Sequence, residues 1–252
     1  MRERVADIIR VVVMTVGALM ASAVMTSAQK PDKTGSGKVA NAKKTVVVGK
    51  LDHYSSVTMA KNMNMTLVMG EKQQVSITAE PTVAKAVTCE VIGGHLYIGA
   101  EKFKYKKSAR IYVTVTVDST LCEVNGTLGG NIRSEGALQL ENLRVNTGYG
   151  TSAHILGYIG DQITINAESN AKVEIYGKAR RTHIEAHKQS DVVMKNMQSQ
   201  ETTVEVDEES KVDVSATETL SLTVDRSSMA RYHAPGAEVS VKSETSTNTT
   251  SY

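Results

Sequence analysis

L-C-E-V-N-G at 121–126, L-R-V-N-T-G at 143–148 and I-T-I-N-A-E at 163–168 are three versions of one short strand. The pattern continues as T-H-I-E-A-H at 182–187, V-E-V-D-E-E at 204–209, L-T-V-D-R-S at 222–227 and V-S-V-K-S-E at 239–244. Aligned on the second apolar residue, the anchors are Val124, Val145, Ile165, Ile184, Val206, Val224 and Val241, about 17 to 22 residues apart. A unit this short cannot close a core alone and has to stack on its neighbours.

A second strand follows a few residues after each anchor. It carries Ile155 in one unit, then Val173 and Ile175, Val192 and Met194, Val212 and Val214. Small polar stretches separate the two strands, as in N-T-G-Y-G-T-S at 146–152 and D-E-E-S at 207–210. Apolar and polar residues alternate within each strand, so one face is buried and the other wet. Two short strands and two turns per unit describe one coil of a β-solenoid. A sandwich of hairpins also has short strands at regular spacing. The solenoid is preferred because Asn125, Asn146 and Asn166 follow the anchor in three successive units. Amides stacked at one level hydrogen-bond along a ladder of strands. The position then changes to Glu185, Asp207, Asp225 and Lys242. The fold class expected is all-β, a parallel β-helix or solenoid with a strand-rich N-terminal capping region.

Composition agrees. The 252 residues include no Trp, one Phe, 18 Gly and 3 Pro. β-Branched residues fill the later part, as suits narrow layers of strand. The 29 basic and 27 acidic residues leave a net charge of +2, which argues against a nucleic-acid binder.

Residues 1–28 read as a secretory signal peptide. Arg2, Arg4 and Arg10 precede the apolar run 11–24, and Thr26-Ser27-Ala28 offers small residues for cleavage before Gln29. Ala21-Ser22-Ala23 offers a second site. The other reading is an uncleaved anchor, for which the run is short. No Cys lies near the cleavage site to receive a lipid, and no later segment is apolar enough to span a membrane. Residues 29–44 read as a flexible, basic linker. Residues 45–242 form the solenoid domain, with an N-terminal β-region at 45–118 and repeated coils at 119–242. The Ser/Thr-rich tail 243–252 is either a last coil or a disordered end. It contains Asn248-Thr249-Thr250, a glycosylation pattern that is given little weight.

Within 45–118, Gly93-Gly94 makes a hairpin turn between A-V-T-C-E-V at 86–91 and H-L-Y-I-G at 95–99. This region either packs onto the coils or is continuous with them, and covers the exposed edge of the first. The order of segments here is specific: S-S-V-T-M, M-N-M-T-L-V-M-G, Q-V-S-I-T-A-E, V-T-C-E-V-I-G-G-H-L-Y-I and I-Y-V-T-V-T-V, then repeated L-x-V-N-x-G units. Over roughly residues 45–235 it resembles the DUF2807 family, the head GIN domain of autotransporter adhesins. In the later units the Gly148-Tyr149-Gly150 turn gives way to E-S-N, K-Q-S and E-E-S, a departure from the family pattern. The resemblance implies a secreted bacterial protein with a right-handed β-helical fold and an adhesin-like role.

Four groups of residues invite a chemical reading. His183, Glu185 and His187 point the same way along one strand, about 6.6 Å apart at alternate positions. They could approach a zinc, although a wet strand face carries such residues routinely. Glu201, Glu205, Asp207, Glu208, Glu209 and Asp213 form the densest acidic group. Calcium binding competes there with the ordinary role of charge in discouraging sideways sheet pairing. Lys102, Lys104, Lys106, Lys107 and Arg110, interleaved with Phe103 and Tyr105, suit a polyanion or a solvated hairpin tip. Tyr97, Tyr105, Tyr149 and Tyr158 keep a carbohydrate-binding module in view. No pair of carboxylates across a cleft, nucleotide loop or nucleophile set is legible. Catalytic, cofactor-binding and metal residues are therefore assigned to none. Cys89 and Cys122 both sit at apolar positions. Export would permit a disulfide, but two buried unpaired thiols are the preferred reading.

The function expected is that of an exported, non-enzymatic solenoid that meets a glycan or protein ligand in the cell envelope. A polysaccharide-binding module or a polysaccharide-processing enzyme on the same scaffold is the alternative. Location in the periplasm, on the outer-membrane surface or outside the cell is left open, as is the oligomeric state.

Overall fold

The computed structural model describes residues 44–60, 62–100, 110–244 and 248–252. The expected leader, most of the linker and the basic turn at 102–107 lie outside the described residues. In chain order the elements are β1 (Lys44–Val47), β2 (Ser56–Met59), β3 (Met63–Met69), β4 (Gln74–Ala79), a one-turn helix α1 (Pro81–Ala84), β5 (Val87–Ile92) and β6 (His95–Ala100). They continue with β7 (Ile111–Val117), β8 (Glu123–Gly126), β9 (Gly130–Thr147), β10 (Thr151–Glu168), β11 (Lys172–His187) and β12 (Asp191–Val193). The last are β13 (Met197–Val206), β14 (Lys211–Ser215), β15 (Thr219–Val224), β16 (Met229–His233), β17 (Glu238–Ser243) and β18 (Thr249–Ser251).

The described residues wind as a β-solenoid of parallel stacked coils. A front sheet joins β6, β2 and β8 to the C-terminal parts of β9, β10, β11 and β13, then to β15 and β17, all parallel. A back sheet joins β7, β3 and the N-terminal parts of β9, β10 and β11 to β12, β14, β16 and β18, again parallel. Parallel pairing needs a long connection between partners, and one full coil supplies it.

Alternation makes the core. On the front sheet Val57, Val124, Val145, Ile165, Ile184, Val204 and Leu222 lie one above the next. Each is at most 1% exposed. Each such side chain contributes roughly 1.5–3 kcal/mol by leaving water. The back sheet answers with Met65, Ile132, Ala153, Val173, Val192, Val212 and Ala230. The anchor alignment from sequence is corrected at one step. Ile184 pairs with Val204, while Val206 pairs with Ala186 below and Val224 above. The expected single stack is therefore two adjacent columns, with Val145, Ile165 and Ile184 in one and Val206 and Val224 in the other. All five remain buried on the front sheet. The corrected column also evens the coil length to about 18–21 residues.

The corner after the front sheet repeats in four coils. Tyr149-Gly150, Ser169-Asn170, Lys188-Gln189 and Glu208-Glu209 are pairs of consecutive residues with positive φ, between 48° and 73°. The backbone N–H of Gly150 donates to Ser169 O at 2.9 Å, Asn170 to Lys188 O at 2.9 Å and Gln189 to Glu208 O at 2.8 Å. These bonds hold successive corners together and offset the cost of the left-handed conformation. The next residue inward is small in these four coils and in the one that follows them: Thr151, Ala171, Ser190, Ser210 and Ser228 are buried. The backbone N–H of Ser190 donates to the Ser210 hydroxyl, and that of Ser210 to Ser228, each at 3.1 Å.

At the N-terminal end the order in space departs from the order in sequence. The coil of β2 and β3 lies between the coil of β6 and β7 and that of β8 and β9. Parallel pairing thus begins well before residue 121. Antiparallel strands finish this end: β5 pairs with β6 through the expected Gly93-Gly94 hairpin, β4 with β7, and β1 with β4. Tyr54 plugs the interior here, its hydroxyl donating to Thr116 O at 2.7 Å. Burial drives its pKa far upward.

At the other end the tail is a last coil in part, since Thr249–Ser251 pairs with β16. The Asn248 amide donates to the carbonyls of Asp225 and Arg226 at 2.7 and 2.8 Å.

Candidate interaction surface

The outward residues of the front sheet form two polar rows. One runs His95, Ser56, Glu123, Arg144, Thr164, His183, Thr203, Ser221 and Ser240. The other runs Tyr97, Thr58, Asn125, Asn146, Asn166, Glu185, Glu205, Thr223 and Lys242. The asparagine ladder is present. Asn166 Nδ2 donates to Asn146 Oδ1 at 2.7 Å, Asn146 to Asn125 at 2.6 Å, and Asn125 to the Thr58 hydroxyl at 3.2 Å. The reversed row is also compatible with the spacing, with the Asn166 amide donating to Glu185 Oε2 at 3.2 Å. Beyond Asn166 the row continues through Glu185 to Glu205, not to Asp207. This is the same correction of register seen in the core.

His183, Glu185 and His187 share a face but do not converge. His183 Nε2 lies 3.1 Å from Glu185 Oε1, whereas His187 Nδ1 lies 2.6 Å from Asp207 Oδ1 on the next coil. Each imidazole has its own carboxylate, and among the described residues no three His, Cys, Asp or Glu side chains gather as a metal site. The acidic group is likewise dispersed. Asp207 meets His187, Glu209 accepts from Gln189 at 2.7 Å at the corner, and Asp213 accepts from the Tyr252 hydroxyl at 2.8 Å on the back sheet. Of the basic turn only Arg110 is described, and it is exposed.

Cys122 departs from expectation. It is exposed, and both cysteines are free. Leu121 takes the inward position before β8 begins, so two outward residues, Cys122 and Glu123, separate it from Val124. Cys89 is buried as expected, and burial pushes its thiol up to about 12.

The chemically richest surface lies on the back sheet, where β10 and β11 run in register. His154 faces Glu174, Leu156 faces Tyr176, Gly157 faces Gly177 and Tyr158 faces Lys178. The His154 and Tyr176 rings meet with centroids 5.2 Å apart. His154 Nδ1 lies 3.0 Å from Glu174 Oε2, and the Tyr176 hydroxyl donates to the other oxygen of the same carboxylate. The Tyr176 hydroxyl first, and His154 second, hold the Glu174 carboxyl below its ordinary range. Beside this cluster is a shallow depression of about 510 Å³, lined by Arg133, Ser152, His154, Lys172, Glu174 and Asp191 among others. Leu156 and Tyr158 stand next to it, 36% and 54% exposed. At the following bend Asp161 accepts from both Arg180 and Arg181, with Arg181 at 2.7 Å. Those two guanidinium groups hold Asp161 below the usual carboxylate range.

An exposed tyrosine, Tyr158, beside the half-buried Tyr176 and charged, hydrogen-bonding side chains on rigid strands suits recognition of a large ligand. Of this cluster only Tyr158 stands out in the sequence. The missed signal is the shared Gly in H-I-L-G-Y at 154–158 and E-I-Y-G-K at 174–178, which fixes the register of the two segments. Tyr149 is 68% exposed at a corner, and Tyr97 stacks on His95 with centroids 4.3 Å apart at the top of the front rows. The three described candidate tyrosines therefore lie apart.

The family model described as "Putative auto-transporter adhesin, head GIN domain" (DUF2807) matches residues 53–234. No curated protein matches the chain. Among solved structures, a protein titled putative adhesin from Bacteroides fragilis is similar, with TM-score 0.70 and 14% identity over 84% of this chain and 97% of that one. A protein titled putative lipid binding protein from Parabacteroides distasonis gives TM-score 0.63 and 16% identity over 84% and 97%. One titled putative adhesin from Parabacteroides merdae gives TM-score 0.59 and 13% identity over 84% and 96%. At these identities the likeness concerns the fold.

Proposed function

Because the chain belongs to the DUF2807 head GIN domain family, we propose that it is an exported, non-enzymatic, adhesin-like solenoid. Its ligand is a glycan or protein of the cell envelope, engaged by the back-sheet surface around His154, Leu156, Tyr158, Glu174 and Tyr176. The observation that carries this reading is the exposed Leu156–Tyr158 pair beside the charged depression, on strands that neighbouring coils hold rigid. A tyrosine ring gives an apolar face to stack on, and its hydroxyl stays wet. Flanking guanidinium, imidazole and carboxylate groups supply directional hydrogen bonds. Interfaces of this type concentrate their energy in a few aromatic and Arg side chains.

Purified protein presented to glycan and envelope-protein arrays tests the reading. Binding should weaken at least about tenfold on Tyr158→Ala and survive Tyr149→Ala at the distant corner. Equal loss in both variants, or turnover of any polysaccharide, would count against it. Export belongs to the same proposal. Residues 1–28 would be removed, leaving Gln29 first, and protein from the native host would show that intact mass. Protease shaving of intact cells distinguishes a surface from a periplasmic location. No helix among the described residues is long and apolar enough to cross a membrane.

A further inference from the structure

The C-terminal end of the solenoid carries a strand with an open edge. Among the described residues β17 pairs with β15 alone. Val239 and Val241 continue the inward columns of Leu220 and Leu222, in register with them. Leu220 and Leu222 are each 1% exposed, but Val239 and Val241 are 38% and 41% exposed, since among the described residues no coil is stacked beyond them. The N-terminal end, by contrast, is finished by antiparallel strands.

We infer that β17 pairs antiparallel with β17 of a second copy of this chain, joining two solenoids end to end about a two-fold axis at Ser240. Backbone polarity points to this register. Glu238 N–H donates to Glu218 O and Glu244 N–H to Val224 O, so the even-numbered amides face β15. The amides and carbonyls of Val239 and Val241 therefore face the open edge. With Ser240 opposite Ser240, Val239 of one copy lies opposite Val241 of the other, in both directions. These are the hydrogen-bonded pairs of an antiparallel ladder, each exchanging two N–H···O bonds.

The side chains agree with the backbone. Glu238 lies opposite Lys242 of the second copy on the outer face, twice by symmetry. Opposite charges directly across strands stabilise a pair and like charges destabilise it. A shift by two residues one way places Glu238 opposite Glu244 of the second copy, and the other way leaves both charges without a partner. A two-fold axis normal to the sheet keeps inner face against inner face. The four valines then close the interior of both solenoids. Charged residues ordinarily protect an edge strand from pairing. Here the Glu238–Lys242 pattern disfavours a mismatched strand but complements its own copy.

Sedimentation velocity on purified protein reads the association. Wild type should dimerise. Glu238→Lys or Lys242→Glu alone, both on an exposed outer face, should weaken the dimer at least tenfold, and the double reversal should restore it. Ser240→Cys in a Cys122→Ser background should form a covalent dimer on oxidation. Facing non-hydrogen-bonded residues have Cα atoms about 4.5 Å apart, within reach of a disulfide. A wild type that stays monomeric at millimolar concentration would overturn the inference. So would a dimer indifferent to the single reversals, or a Ser240→Cys variant that fails to cross-link.

Discussion

The backbones of Gly157 and Gly177 touch: a methyl group added at Gly177 would lie 2.0 Å from the Gly157 carbonyl oxygen. The two residues are in register on successive coils, at the bend between the back sheet and the side of the solenoid. Gly177 has φ of 124°, a region closed to other residues. Gly177→Ala should therefore destabilise the fold by about 2 kcal/mol or more, read as a fall in urea midpoint. Gly93→Ala, with open space around it but also positive φ, should cost less. Equal losses would show that φ strain alone matters at Gly177.

Ile165 sits mid-column between Val145 and Ile184 and is fully buried. Ile165→Ala should cost roughly 2–5 kcal/mol by removing packed methyl groups and leaving a cavity. Ile165→Asp should unfold several coils, because its carboxylate would be buried without a partner and each coil depends on its neighbours. Circular dichroism melting checks both, and a wild-type melting curve for the aspartate variant would contradict the burial.

The coil period and the alternation around Val145 and Ile165 were legible because burial on one face imposes them. The step to Val206 was misread because V-E-V at 204–206 offers two inward valines two residues apart, and either satisfies a period of two. The corners at Ser169-Asn170, Lys188-Gln189 and Glu208-Glu209 carry no Gly, so their left-handed backbone left no local mark. The placement of β2 and β3 between later coils breaks the usual adjacency of sequential elements. The His154–Glu174–Tyr176 cluster is assembled from outward positions, where packing places little constraint on residue type.

Asp225 closes the corner after β15, where no left-handed pair occurs. Its carboxylate accepts from the backbone N–H of Ser228 at 2.8 Å, of Ser227 and Glu208 at 3.1 Å each, and from the Ser227 hydroxyl at 2.8 Å. Burial works to raise its pKa, but the hydrogen bonds from Ser228, Ser227 and Glu208 outweigh it and the net shift is downward from 3.8. A lowered folded pKa means stability present above the unfolded value and lost as pH falls through the folded one. Asp225→Ala should cost about 1 kcal/mol at pH 7. That difference should shrink below the unfolded value, so denaturation midpoints of the two proteins should approach each other in acid.

His183 and His187 each face a separate carboxylate. Protein purified without chelator should hold no stoichiometric zinc, and His183→Ala with His187→Ala should move the melting temperature little, since a bound structural metal would contribute strongly to folding. Elemental analysis and melting of both proteins check this. One equivalent of zinc, lost in the double variant together with stability, would show that the two imidazoles rotate to share an ion.

The two cysteines should separate cleanly by reactivity. Cys89 is 8% exposed inside the β5–β6 hairpin, and its thiol is pushed up to about 12 by burial. At pH 8 it is protonated as well as covered, and the thiolate is the reactive form. Cys122 is exposed at the mouth of β8, its thiol donating to Ser55 O at 3.4 Å. A water-soluble disulfide reagent at pH 8 should therefore titrate one thiol per chain in the native protein and two in denaturant. Fast reaction of both in the native state would mean that the β5–β6 hairpin opens readily at the N-terminal end. No reaction even in denaturant would mean that the two sulfurs are joined, which the exposure of one and burial of the other oppose.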